Sequence, residues 1–115
     1  MELSINFIST LPAFTYNVLH QIQDQPIKAG AVYLCLMDID LVNLIEQILP
    51  TKLKVGKDVG VISYNESPMK RIILNGITTI STDFEMMGMK AAQLIIDKST
   101  AHIPIPFSLT LRPSL

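Results

Sequence analysis

The residues best placed to do chemistry form three short polar clusters: Ser9-Thr10, Asp38, and Ser63 to Glu66. Each follows an apolar stretch that reads as a strand. In open α/β sheets, ligands bind at the carboxyl ends of the strands. Asn65 offers both donor and acceptor atoms, while Asp38 and Glu66 offer acceptors for hydroxyl or amine groups. Simpler readings stand beside these: Asp38 as a helix cap and Asn65 as a turn residue. The pattern alone leaves both open. Catalytic and metal arrangements find little support. His20 falls on the polar face of a helix pattern and His102 between prolines, and neither has a partner at metal-ligand spacing. Asp38 and Asp40 are two apart and face differently on a helix. No glycine-rich phosphate loop occurs. Met86, Met87 and Met89 suit core packing better than a soft-metal site. We therefore expect no catalytic residue, no metal, no cofactor and no enzyme.

The elements that position these clusters alternate in type. Leu3 to Ile8 has strand periodicity, and Phe14, Val18, Leu19 and Ile22 fall at helical spacing after Pro12. Ala31 to Met37 is continuously apolar, as in a strand covered on both faces. Asp38 then begins a helix that is apolar around much of its girth and ends at Pro50. Val59 to Ser63 reads as a short strand, Tyr64 to Lys70 as a polar loop and Asn75-Gly76 as a turn. Ile72 to Leu74 is a short apolar piece. Ile77 to Ile80 is β-branched. Asp83 can cap a long helix with a spine of Phe84, Met87, Ala91, Leu94 and Ile95. Pro104 and Pro106 exclude a helix there, and Phe107 to Leu111 alternates as a last strand. Strands alternating with helices imply an α/β fold, with a mainly parallel sheet flanked by helices.

Composition limits the function further. Of the 115 residues, 49% are hydrophobic and 17% charged, which suits a packed core rather than a disordered chain. The nine Lys and Arg are scattered and the formal net charge is −1, so this segment lacks the basic stripe that grips nucleic acid directly. The single cysteine, Cys35, sits in an apolar run, where a buried thiol and a reducing compartment are the simplest reading. No apolar run reaches the ~18–20 residues that span a bilayer. The amino terminus lacks the order of a secretory signal, which points to the cytoplasm.

From Lys57 onward the motifs are more specific. Asp58-Val59-Gly60-Val61-Ile62-Ser63-Tyr64-Asn65-Glu66 resembles the LacI/GalR segment "D-V-x-V-x-G-[FY]-D-[DN]". Ile77-Thr78-Thr79-Ile80, followed by Asp83-Phe84 and Met87-Gly88, resembles "L-T-T-[IV]-x-Q-[DP]-x-x-x-[ML]-G". Ala91-Ala92 fits the helix that follows, and Leu109 to Ser114 resembles the closing "L-x-x-R-x-S". Upstream, Ala31 to Asp38 resembles the strand that ends in "N-D". The resemblance implies a partial periplasmic-binding-protein-like (type I) fold, in which two lobes bind a small molecule, sugar-like or nucleobase-like, and lobe closure acts on an attached DNA-binding domain. It also implies ligand contacts at Asn65, Met37 and Asp38, while Glu66, Ser9 and Thr10 are candidates by their place at strand ends. This chain departs from the family at three of its positions. Asn65 stands where the family has a ligand-binding aspartate, Met37 where it has asparagine, and Ser63 where it usually has glycine. Loss of that charge and that polar contact argues against a standard pyranose ligand.

The resemblance places a homodimer interface on the helix after Asp38 and on the segment before the Thr-Thr motif, which includes Val42, Ile45 and Ile73. For each, intramolecular core is the alternative. Full effector domains of this kind are more than twice as long. Residues 1–115 are therefore expected to be the carboxyl-terminal portion of one, without its first lobe and without its DNA-binding domain, which would be of LacI or GntR type. DNA would then be met only through that other domain. Leu94 and Ile95, on a helix whose partner lobe would be missing, are expected to drive dimerisation. A solute-binding protein of a transporter is the other function the resemblance allows.

Overall fold

The computed structural model describes residues 26–115. The expected strand at Leu3 to Ile8, the helix after Pro12, and Ser9, Thr10 and His20 lie outside the described residues. Four strands form one sheet: β1 (Val32–Cys35), β2 (Gly60–Tyr64), β3 (Thr78–Thr82) and β4 (Phe107–Thr110), in that spatial order. β1, β2 and β3 run parallel, and β4 lies antiparallel to β3. Two helices, α1 (Asp38–Ile48) and α2 (Phe84–Ile96), follow β1 and β3.

The register puts Tyr33 beside Val61, and Cys35 beside Ser63, which in turn lies beside Thr79. Side chains on this face meet α1, whose Leu41, Leu44 and Ile48 recur at helical spacing and are buried. They form the core with Cys35, Val59, Val61 and Ile77. The opposite face is different. Val32 and Leu34 on β1, and Phe107 and Leu109 on β4, are more than half exposed. The continuous apolar run of β1 thus has one covered face among the described residues, not the two expected.

The carboxyl terminus closes the other end of the sheet. The starts of β2 and β3 are bridged by Ser114. Its hydroxyl donates to Val61 O at 2.6 Å and accepts from Thr78 N–H at 2.7 Å. Val61 N–H in turn donates to Ser114 O at 2.8 Å. Gly56, at φ +80°, lets Pro113 pass, since a Cβ there would lie 1.8 Å from Pro113 O.

α2 begins as the sequence predicts. Asp83 accepts from Met86 N–H at 2.8 Å, an N-cap bond. None of its residues is buried. Between β2 and β3 the polar loop tightens into two short 3₁₀ turns, Pro68–Arg71 and Ile73–Asn75. The second takes in part of the short apolar piece, and Leu74, Asn75 and Gly76 all have positive φ.

Candidate ligand-binding edge

Parallel pairing brings the carboxyl ends of β1, β2 and β3 to one edge. Just past β1, Met37 is the N-cap residue of α1 and is largely exposed. Asp38 is the first helical residue and makes no capping hydrogen bond, contrary to the cap reading. Its carboxylate pairs instead with Lys70, Nζ to Oδ1 at 2.7 Å. The pair is lopsided: the Lys70 side chain is 3% exposed and that of Asp38 is 78% exposed.

Lys70 reaches further. Its ammonium also donates to Tyr64 O at 2.9 Å and Asn65 O at 2.7 Å. An ammonium has three N–H donors, so these three acceptors use all of them. Asn65 takes the left-handed conformation at φ 64°, which asparagine tolerates better than most residues. Its N–H donates to Ile80 O at 2.8 Å. Its side-chain Oδ1 is buried and has no hydrogen-bond partner among the described residues.

Glu66 belongs to a second group. Its N–H donates to Ser81 Oγ at 2.9 Å. Oε2 accepts from the Thr79 hydroxyl at 2.7 Å and from Arg112 at 2.8 Å. Oε1 lies 3.6 Å from Arg71 Nε, and Arg112 also donates to Ile77 O at 2.8 Å. Burial pushes the Glu66 carboxyl upward, but the bonds from Thr79 and Arg112 and the charges of Arg112 and Arg71 outweigh it and hold it below its ordinary value.

The structure thus joins Asp38 to Asn65 through Lys70 and leaves Met37 exposed beside them. It sets Glu66 in a separate ion-pair network. A cleft of about 480 Å³ opens on the Glu66 side, between the end of β3, the start of α2 and the start of β4, and is lined by Arg71, Ser81, Asp83 and Phe107 among others. Of the sequence-predicted ligand residues that are described, Glu66 alone lines it. At the residues expected in a dimer interface, Val42 is exposed, while Ile45 and Ile73 pack against the core. Leu94 is half-buried and Ile95 is 77% exposed.

Sequence reasoning missed Lys70, Thr79 and Arg112 as parts of these networks. Lys70 sat in a stretch read only as a polar loop, and Arg112 carried meaning only through the closing motif. Among the described residues no cluster of His, Cys, Asp and Glu could hold a metal ion, and no helix is long and apolar enough to cross a membrane.

With this geometry in place, comparison with known proteins gives a consistent answer. Residues 7–115 match the periplasmic binding protein-like domain, and the chain belongs to that family. The HTH-type transcriptional repressor PurR of Pectobacterium atrosepticum is 28% identical over 104 residues, covering 90% of this chain and 30% of the repressor. A transcription regulator from Staphylococcus saprophyticus superposes with a TM-score of 0.63 at 22% identity, over 80% of this chain and 34% of its own. A LacI family regulator from Lactobacillus casei, solved with bound glucose, gives 0.59 at 22% identity, over 73% of this chain and 32% of its own. The chain therefore spans about a third of the length of these relatives. The relatives are named as transcription regulators, and the chain shares the periplasmic binding protein-like fold with them.

Proposed function

We propose that this domain is the ligand-sensing and dimerising segment of a cytoplasmic bacterial transcription regulator. It binds a small sugar-like or nucleobase-like effector between two lobes and performs no chemistry on it. It meets DNA only through another domain of the intact protein. The names of the relatives favour this over a transporter's solute-binding protein, and favour a LacI-type over a GntR-type DNA-binding domain.

The observation that carries the ligand reading is the arrangement of Asp38 and Asn65. Both side chains sit at one sheet edge with unspent acceptor capacity: the exposed Asp38 carboxylate meets Lys70 through Oδ1, Asn65 Oδ1 has no partner among the described residues, and the other Lys70 donors go to the Tyr64 and Asn65 backbone carbonyls. A ligand bringing O–H or N–H donors suits such an edge. Asn65 Oδ1 in particular gains a partner that it lacks among the described residues.

The test uses the full-length parent protein and a panel of D-glucose, D-galactose, D-ribose, L-arabinose, hypoxanthine and guanine, with calorimetry as the readout. At least one compound should bind. Asn65→Ala should then lose ~0.5–1.5 kcal/mol of binding free energy, and more where a partner is left buried and unpaired. Unchanged affinity in the variant would remove Asn65 from the site.

A further inference from the structure

We propose that Lys70 is the positioning residue of this edge: its buried ammonium holds the Tyr64–Asn65 backbone in the shape that presents Asn65, and ties it to the start of α1 through Asp38. The inference deepens the effector reading and rests on it for its functional consequence.

Its basis is valence. A lysine whose side chain is 3% exposed has almost no water to fall back on, so its donors must find protein acceptors. It finds three, at 2.7, 2.9 and 2.7 Å, on Asp38, Tyr64 and Asn65. Two of these are consecutive backbone carbonyls at the point where β2 ends and Asn65 turns left-handed. Consecutive carbonyls in an extended strand point in opposite directions. Directing both at one nitrogen requires Asn65 to leave the extended conformation, as it does at φ 64°, and the ammonium rewards that turn. The same lysine is anchored from behind, where Lys70 O accepts from Ile77 N–H at 2.7 Å just before β3. Lys70 therefore links the ends of β1 and β2 with the start of β3.

Two consequences follow. Without the ammonium, the Tyr64 and Asn65 carbonyls lose their shared partner and turn toward water, and Asn65 leaves its present position. A ligand that captures the exposed Asp38 carboxylate competes with Lys70 for it, so occupancy is felt directly by the Asn65 backbone.

The experiment compares Lys70→Met with the unaltered full-length protein, by amide hydrogen exchange and by calorimetry with the panel compound that binds the unaltered protein. In K70M the Asn65 and Glu66 amides should exchange at least tenfold faster while those of Val61, Ile62 and Ser63 keep their protection, and affinity should fall at least tenfold. Uniform acceleration through the whole sheet would show general stabilisation only and overturn the proposal, as would unchanged exchange at Asn65 and Glu66. If K70M does not fold, the unaltered protein decides. Slowly exchanging Lys70 ammonium protons, with nuclear Overhauser contacts to the Asn65–Glu66 segment, support the proposal, and a freely exchanging ammonium overturns it. Failure of every panel compound to bind counts against the effector reading, while the amide pattern still judges Lys70.

Discussion

Glu66 shows how single residues in this domain trade surface for structure. The sequence marks it as a candidate ligand contact, yet Thr79 and Arg112 already engage one carboxylate oxygen, and Arg71 stands near the other. Because its carboxyl is held below the ordinary glutamate value when folded, its contribution is complete above that value and is lost as pH falls through the folded one. Glu66→Gln should therefore destabilise the protein near neutrality, and the gap to the unaltered protein should narrow on acidification. Urea midpoints from pH 7 to pH 3 check this, and a gap constant with pH would contradict it. Ser114 makes a sharper case. It is fully buried and satisfies one strand carbonyl and one strand N–H. Ser114→Ala leaves both unpaired, and an unsatisfied buried group costs about 1–3 kcal/mol. A loss of at least ~2 kcal/mol should appear in the same urea titration. Cys35 illustrates the opposite, an inert residue. Burial chiefly, and the charge of Asp40 secondly, outweigh the nearby Lys70 and push its thiol up to about 11. The native protein at pH 7 should resist thiol reagents until it unfolds, and a colorimetric disulfide reagent with and without urea measures that directly.

Elements, rather than single contacts, were the part most legible in the sequence. Local patterns located both described helices and all four described strands: apolar runs for β1 and β2, β-branched residues for β3 and alternation for β4. Asp83 was readable as a cap because its partner, Met86, is three residues away. Asp38 has the same local credentials but bonds a lysine 32 positions later, and no local pattern reveals that. The same limit hid Arg112, whose partner Glu66 is 46 positions distant. β1 shows a different failure. Its unbroken apolar run correctly implied a strand, but what covers Val32 and Leu34 is not specified by the run itself. α2 extends the argument. Its interior glycine, Gly88, has nothing within 4 Å of where a Cβ would stand. Glycine costs ~1 kcal/mol against alanine inside a helix. In the 115-residue chain, Gly88→Ala should therefore raise the helical circular-dichroism signal or leave it unchanged, and should not disturb the sheet. A loss of stability in the full-length parent alone would locate Gly88 against a surface supplied by the rest of that protein.

At the scale of the molecule, the described residues leave part of the sheet and its second helix open. α2 has no buried residue, and Phe84, Met87, Ile95 and Ile96 stand exposed along it. Leu94 is half-buried, and the β4 strand that follows α2 is exposed throughout. Burying one large apolar side chain is worth ~1.5–3 kcal/mol, so several exposed together favour association over a solvated monomer. In the two-lobed protein proposed above, a first lobe would cover this surface. In the 115-residue chain by itself, a second copy is the simplest one. Exchange of α2 and β4 between two copies offers a closed solution, since β4 already pairs with β3 through an antiparallel register that a partner's β4 can supply equally well. Sedimentation of the chain at micromolar concentration should show a dimer. Charging the surface with Leu94→Glu and Ile95→Glu should dissociate it while leaving the α1-covered core folded, because neither residue belongs to that core. A folded monomer of the unaltered chain would overturn the prediction. Dissociation by Val42→Glu instead would move the interface to α1, where the family resemblance first placed it.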